Sequence, residues 1–287
     1  MEKTVNQQLD ELFNKEWKPS YTDPQKLEKF ATDGLVYKYK KVWRIEGKER
    51  PTLAGTDADK YVEDKWNKSP LKIVFLLKDK SDNSGGDVRQ WFLYEKEGKC
   101  SRDLAGGNVG KTGFLPNMAR MLYGIMHIKE LEYENFEDFK KKYKKDIVEA
   151  WNTLPFAFVE TKKIAGKPQV SDKEIQAYID SDGKFLKKEL DLIQPNVIIC
   201  TCDPHFDFIT KEYLANEEIE QSDKIVYQYP DAPFVNCCLW YYKRRNIAVV
   251  KSYHPTNRGK IQWTISERVV SPFRKLLEKH PEYFKDF

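Results

Sequence analysis

Two rhythms of apolar residues alternate along this chain. Near the amino terminus they recur every three or four positions, over residues 3–17 and 24–32. That spacing predicts two helices, the second opened by Asp23-Pro24. Residues 33–70 lose the rhythm and read as irregular, with a short hairpin expected around 36–45. Beyond residue 70 the apolar residues gather into strand-length runs. LKIVFLLK (71–78), PFAFVET (155–161), PNVIICT (195–201) and IAVVKSY (247–253) read as buried strands. Helical spacing returns in GFLPNMARMLYGIM (113–126) and in SDKEIQAYIDSDGKFLKKELDLI (171–193), one or two helices. SERVVSPFRKLLEKH (266–280) predicts a closing helix, broken or kinked at Pro272.

Strands alternating with helices imply an α/β fold. The expectation is a three-layer α/β/α arrangement with a central four-stranded, mostly parallel sheet. Residues 1–70 would form an N-terminal, mainly helical extension and residues 71–287 the α/β domain. In such sheets ligands bind outside the carboxyl ends of the strands. Four strand ends therefore converge as candidates: Lys78-Asp79, Glu160-Thr161, Thr201-Cys202 and Tyr253-His254. Pro255 forbids further ladder pairing, so it places one of only four histidines at the mouth of the sheet.

Composition narrows the class. In 287 residues, 40% are hydrophobic and 33% charged, as in a soluble globular protein. The apolar runs are too short for a membrane span. The segment MEKTVNQQLDELF is charged and amphipathic rather than a signal peptide, which points to the cytoplasm. A net charge of +4 permits a polyanionic partner without requiring one. Cys100, Cys200, Cys202, Cys237 and Cys238 lack zinc-site spacing and read as reduced, packed thiols. No metal and no cofactor is expected, and the chain is taken as a monomer.

Several segments bear candidate chemistry. In LLKDKSDNSGGD, Asp79 follows a buried run directly; it is either a turn carboxylate or one that orients water and stabilises a developing cation. In GGNVGKTG (106–113) a phosphate loop would need glycine at 105, where Ala105 stands, so a nucleoside triphosphatase is rejected. A glycine-rich helix start can still hold a nucleic-acid phosphate through its N–H groups. Glu160 and Thr161 have an ordinary surface reading. Lys162, Lys163 and Lys167 make the loop after them basic, whereas EDFKKKYKKD (137–146) looks like the solvated face of a helix. Arg244, Arg245, Lys251, Arg258 and Lys260 flank the histidine strand and are better placed to meet a polyanion.

With these residues in hand, the chain from about Leu71 onward resembles the uracil-DNA glycosylase superfamily. Leu77-Lys78-Asp79-Lys80 falls where that family has a short motif after its first strand. Asp79 matches the position of the catalytic aspartate in some branches, although the usual Gly and Pro are missing. Tyr253-His254-Pro255-Thr256 is similar to the family's His-Pro-Ser motif, with Thr for Ser. Gly110-Lys111-Thr112-Gly113 resembles the Gly-x-x-Gly of the iron–sulphur branch, and Leu192-Ile193 through Ile199 resembles that branch's third-strand signature. The four cluster cysteines of that branch are not reproduced, so no cluster is expected.

The resemblance implies a DNA glycosylase that flips a base and hydrolyses its N-glycosidic bond. It casts Asp79 and His254 as catalytic. Glu160 falls where uracil-removing members have asparagine; an ionised carboxylate only accepts, which suits the amino group of cytosine. Gly107-Asn108-Val109 lacks the family's stacking aromatic, leaving room for a larger base unless Trp91, Phe92 or Phe114 fills it. Asn108 and Lys78 complete the expected base-recognition set. Gly110, Lys111, Thr112, Gly113, Lys162, Thr256, Asn257 and Arg258 are the expected DNA contacts, Asn257 or Arg258 also as a wedge. The implied substrate is a modified, bulky cytosine in foreign DNA, of the glucosylated hydroxymethyl type; plain uracil repair and a catalytically silent DNA-binding module are the alternatives.

Overall fold

Several helix starts have a local chemical reason. The Thr4 hydroxyl accepts from the Gln7 N–H and the Gln7 side chain accepts from the Thr4 N–H, a reciprocal cap that opens helix α1, Val5–Leu12. The helix widens into a π-helical turn, Phe13–Trp17. Asp23 caps the short α2, Pro24–Glu28, with proline at a helix start where its missing N–H costs nothing. The computed structural model describes residues 2–37, 43–44, 52–53, 56–79, 85–90, 94–95, 99–100, 113–166, 169–217, 225–229, 232–256 and 265–284.

Along the chain follow β1 (Ala31–Thr32), β2 (Gly34–Leu35), β3 (Trp43–Arg44), β4 (Thr52–Leu53), α3 (Thr56–Lys68), β5 (Ile73–Asp79) and β6 (Gly86–Asp87). Next are β7 (Tyr94–Glu95), β8 (Lys99–Cys100), α4 (Phe114–Met126), α5 (Phe136–Lys142), α6 (Lys144–Thr153), β9 (Ala157–Lys162) and α7 (Asp172–Ile193). The chain continues through β10 (Val197–Cys200), α8 (Asp203–Phe208), β11 (Ile225–Tyr229), β12 (Ala232–Tyr242), β13 (Ile247–Lys251) and α9 (Ile265–Lys279). The fold is α/β with mixed strand pairing, and it divides into two compact units: residues 1–103 with 155–195, and residues 104–154 with 196–287. None of the described helices is long and apolar enough to cross a membrane.

In the first unit β5 and β9 run parallel, from Val74 opposite Ala157 to Asp79 opposite Lys162, and β2 joins β9 antiparallel. The interior of β5 is sealed, with Ile73, Val74, Phe75, Leu76 and Leu77 all buried, each side chain contributing about 1.5–3 kcal/mol. Helices α1 and α7 pack together around an aromatic cluster. Trp17 stacks on Phe185 at 5.4 Å, and Phe30 meets Phe13 and Trp17 edge-on. Residues 2–37 thus share a core with the first two long strands.

Two expectations for this region change. The helix foreseen over 24–32 stops at Glu28, because Phe30 and Ala31 are drawn to the segment after β9: Ala31 N–H donates to Lys163 O and Ala165 N–H to Lys29 O. Helix α3 lies in the stretch read as irregular, its apolar stripe of Ala58, Val62 and Trp66 at intervals of four residues fully buried. The hairpin expected at 36–45 falls mostly outside the described residues; β3 pairs antiparallel with β4 instead.

In the second unit β10 and β13 run parallel, Val197 opposite Ala248 through Cys200 opposite Lys251. The eleven-residue β12 pairs antiparallel with β13 and with β11; β11 and β12 are strands the sequence pattern did not mark. Helix α4 packs on α6 and α9. Helix α9 runs unbroken through the buried Pro272, so the expected break there does not occur.

Candidate functional site

In the first unit, the carboxyl ends of β5 and β9 lie side by side, with Leu77 opposite Glu160 and Asp79 opposite Lys162. Lys78 is half-buried; its ammonium donates to Asp172 Oδ1 at 2.6 Å and Val170 O at 3.2 Å, which ties it to the start of α7. Glu160 and Thr161, for which a surface reading stood open, are each 1% exposed, because β9 is covered on both faces. Lys162 is also buried, with its ammonium 5.8 Å from the Tyr178 ring centre.

The basic loop expected after Glu160 is corrected at Lys163. This lysine is wholly buried, with Nζ 2.6 Å from both Asp33 oxygens and 2.9 Å from Glu189 Oε2, and both carboxylates are wholly buried too. Asp33 Oδ2 also accepts the Glu160 N–H at 2.6 Å. Burial alone would pull the Lys163 pKa down, but Asp33 and Glu189 outweigh it and the net shift is upward. Glu189 is pushed well above the usual carboxyl range by burial and then by the Asp33 charge, against the pull of Lys163. Lys163 is thus the cation shared by two buried carboxyl groups, which leaves no buried charge in the cluster without an opposite partner. No sequence pattern linked Asp33, Lys163 and Glu189, which are separated by up to 156 positions.

In the second unit, β13 ends at Lys251 and the chain turns through Ser252, Tyr253, His254, Pro255 and Thr256. Ser252 N–H donates to Cys200 O at 2.8 Å, extending the ladder one step. Asn117 in α4, itself buried, donates to Pro255 O at 2.7 Å. Arg120 holds Asn117 Oδ1 at 2.5 Å and donates to Ser266 Oγ of α9 at 3.1 Å, so two helices clamp the turn. Burial lowers the Arg120 pKa to about 10, still charged at neutral pH. Asn117 and Arg120 are polar positions three apart inside an otherwise apolar helix, a signal that the sequence carried and the sequence reading passed over.

The clamp carries His254. Its Nδ1 lies 3.3 Å from the Thr256 N–H, which donates to it, and 2.7 Å from Thr256 Oγ1. A backbone N–H aimed at Nδ1 requires that nitrogen to be unprotonated, so the neutral ring carries its proton on Nε2. The ring stacks on Phe114 at 5.7 Å and 19°. Phe114 begins α4 directly after Gly113, whose φ of 138° is a conformation that a side chain disfavours although a Cβ there would meet nothing nearer than Pro116 Cδ at 4.0 Å. The arrangement is a hydrogen-bond donor of fixed tautomer at the end of a parallel strand.

Of the other expected site residues, Asp79 is described by its backbone alone, as the last residue of β5. Asn108, Gly110, Lys111, Thr112, Asn257 and Arg258 lie outside the described residues, as do Lys167, Trp91 and Phe92. Cys200, Cys202 and Cys238 are buried free thiols, and burial raises the Cys200 pKa well above its ordinary value. Among the described residues no group of three or more His, Cys, Asp or Glu side chains is placed to hold a metal. No family model matches the chain, and no curated protein matches it.

Proposed function

We propose that the chain is a DNA glycosylase of the uracil-DNA glycosylase type, acting on a bulky, cytosine-type base in foreign DNA. The observation that supports it best is His254, fixed as an Nε2–H donor by Thr256 and seated by the Asn117–Pro255 hydrogen bond. The proposal includes the finer fold expectation, a core of four parallel strands between helices; β5 beside β9 and β10 beside β13 are the parallel pairs consistent with it.

In the proposed reaction the C1′–N bond breaks and its electron pair leaves with the base. His254 Nε2–H donates to the base oxygen that gains charge, and Asp79 stabilises the oxocarbenium-like sugar and directs water to C1′. The water proton passes to Asp79. The Glu160 carboxylate of the adjacent strand accepts from the amino group of the base, whereas uracil presents there its O4, an acceptor with no proton to donate.

The test incubates the protein with oligonucleotides bearing uracil, cytosine, hydroxymethylcytosine or glucosylated hydroxymethylcytosine, followed by alkali. Strand cleavage at the modified cytosine is expected, with His254→Ala slowing base release by about 10²–10³-fold, the size of losing one preorganised donor. Asp79→Asn is expected to slow it at least as much. Cleavage confined to uracil would replace the substrate class with uracil repair. Full base release by both variants would show that the site is misplaced. A second reading, a catalytically silent DNA-binding module, is favoured by Lys78, whose ammonium is engaged by Asp172; salt-sensitive binding without any abasic product would support it.

A further inference from the structure

The first unit contains a cavity of about 420 Å³ that the proposed reaction does not use. It lies between the segment from Ser20 to Lys26 and one face of α7, a size within the range of small-ligand sites, ~300–1,000 Å³. Its walls are the rings of Tyr21, Tyr178 and Phe185, its rim carries Lys26 and Lys184, and Asp182 lies among them. The Tyr21 hydroxyl donates to Asp182 Oδ2, and among the described residues Asp182 Oδ1 accepts no hydrogen bond. The Lys26 ammonium lies 6.0 Å from the Tyr21 ring centre and that of Lys184 lies 4.7 Å from the Phe185 ring centre, so both cations border the aromatic faces.

Each feature excludes a class of ligand. A bare anion would meet the Asp182 carboxylate, and a bare cation would meet two lysines. An aliphatic chain would use neither charge. A ligand that satisfies all of them has a flat aromatic body, a hydrogen-bond donor at one end and an anion at the other. The geometry points to a nucleotide-binding site for an amino-bearing base (adenine, cytosine or guanine), with the base between Tyr21 and Tyr178, its amino group on Asp182 and its phosphate at Lys26 and Lys184. Aromatic stacking beside cations is how single-stranded nucleic acids are held without duplex contacts. The ligand is either a free nucleotide or one unit of an unpaired strand, and the inference does not depend on glycosidic cleavage.

The test measures equilibrium binding of dAMP, dCMP and TMP, and of ten-residue strands of dA, dC and dT, to the full chain. Amino-bearing probes are expected to bind about tenfold more tightly than thymine probes, the discrimination of one hydrogen bond to a charged acceptor. Tyr178→Ala should weaken binding roughly tenfold, the loss of one stacking partner, and Tyr178→Phe should restore it. Asp182→Asn should abolish the preference over thymine. Lys26→Ala with Lys184→Ala should lower the slope of log K against log salt by about 0.7, the value for one single-strand phosphate contact. Strands binding more tightly than mononucleotides assign the site to nucleic acid, and equal affinities assign it to free nucleotide. Absence of binding by every probe, or affinities indifferent to Tyr178→Ala and Asp182→Asn in folded variants, overturns the inference. Base release by Tyr178→Ala, measured in parallel, keeps this outcome separate from that of the glycosylase proposal.

Discussion

Replacing Lys163 by methionine tests how the first unit is held together. Methionine keeps an unbranched side chain of similar reach between Phe13 and Trp17, whose ring centres lie 5.0 and 4.9 Å from the ammonium, so little cavity forms. What changes is charge. At 2.6 Å and an effective dielectric of about 20, the Lys163–Asp33 attraction is about 6 kcal/mol. Removing both ions from water cost several kcal/mol each, so the pair's net worth against a neutral replacement is small. Deleting the lysine alone is a different case. It leaves Asp33 wholly buried, holding the Glu160 N–H and facing Glu189 without a cation. That situation costs about 3–5 kcal/mol. Urea unfolding followed by circular dichroism, with amide exchange read on peptides from 155–195, should register that loss. The double variant Lys163→Met/Asp33→Asn removes both charges and keeps an acceptor for the Glu160 N–H. It should be more stable than the single variant, with a coupling of at least about 2 kcal/mol. A single variant within about 1 kcal/mol of the parent chain would refute the reasoning.

Three further outcomes follow from neighbouring observations. Glu189 has a raised pKa in the folded state, so its contribution is fully present below the unfolded carboxyl value of about 4.3 and is lost as pH rises through the folded value; Glu189→Gln should flatten that part of the stability–pH curve, and an unchanged curve would count against the upward shift. Imidazole ¹⁵N shifts should report the Nε2–H tautomer of His254, and Thr256→Val, which removes the 2.7 Å hydroxyl contact and keeps the 3.3 Å backbone one, should raise the Nδ1–H fraction; identical shifts would mean the hydroxyl does not hold the ring. In Gly124→Ala the new Cβ would stand 2.5 Å from Val270 Cγ2, costing about 1–3 kcal/mol by chemical denaturation, and Val270→Ala in the same chain should recover part of it; a fully stable Gly124→Ala would show that α4 and α9 can separate freely.

The sequence by itself determined the elements whose cause is local. Continuous apolar runs marked β5, β9, β10 and β13, and apolar spacing marked α1, α4, α7 and α9, because the burial of a strand or a helix face is written in consecutive residues. Pro255 marked the turn that follows β13 and so placed His254 close to the strand's end for the same reason. What the tertiary structure decided was every contact between distant positions. Asp33 and Glu189 turned a lysine of an apparently basic loop into a buried ion, Asn117, itself held by Arg120, reached the Pro255 carbonyl, and Thr256 selected the histidine tautomer. The antiparallel pairing of β12 and the early end of α2 belong with these. Hydrogen bonds and ion pairs in a core are short-ranged in space yet indifferent to separation along the chain. A pattern read within a window of neighbours therefore predicts which residues are buried and leaves open which partners they meet.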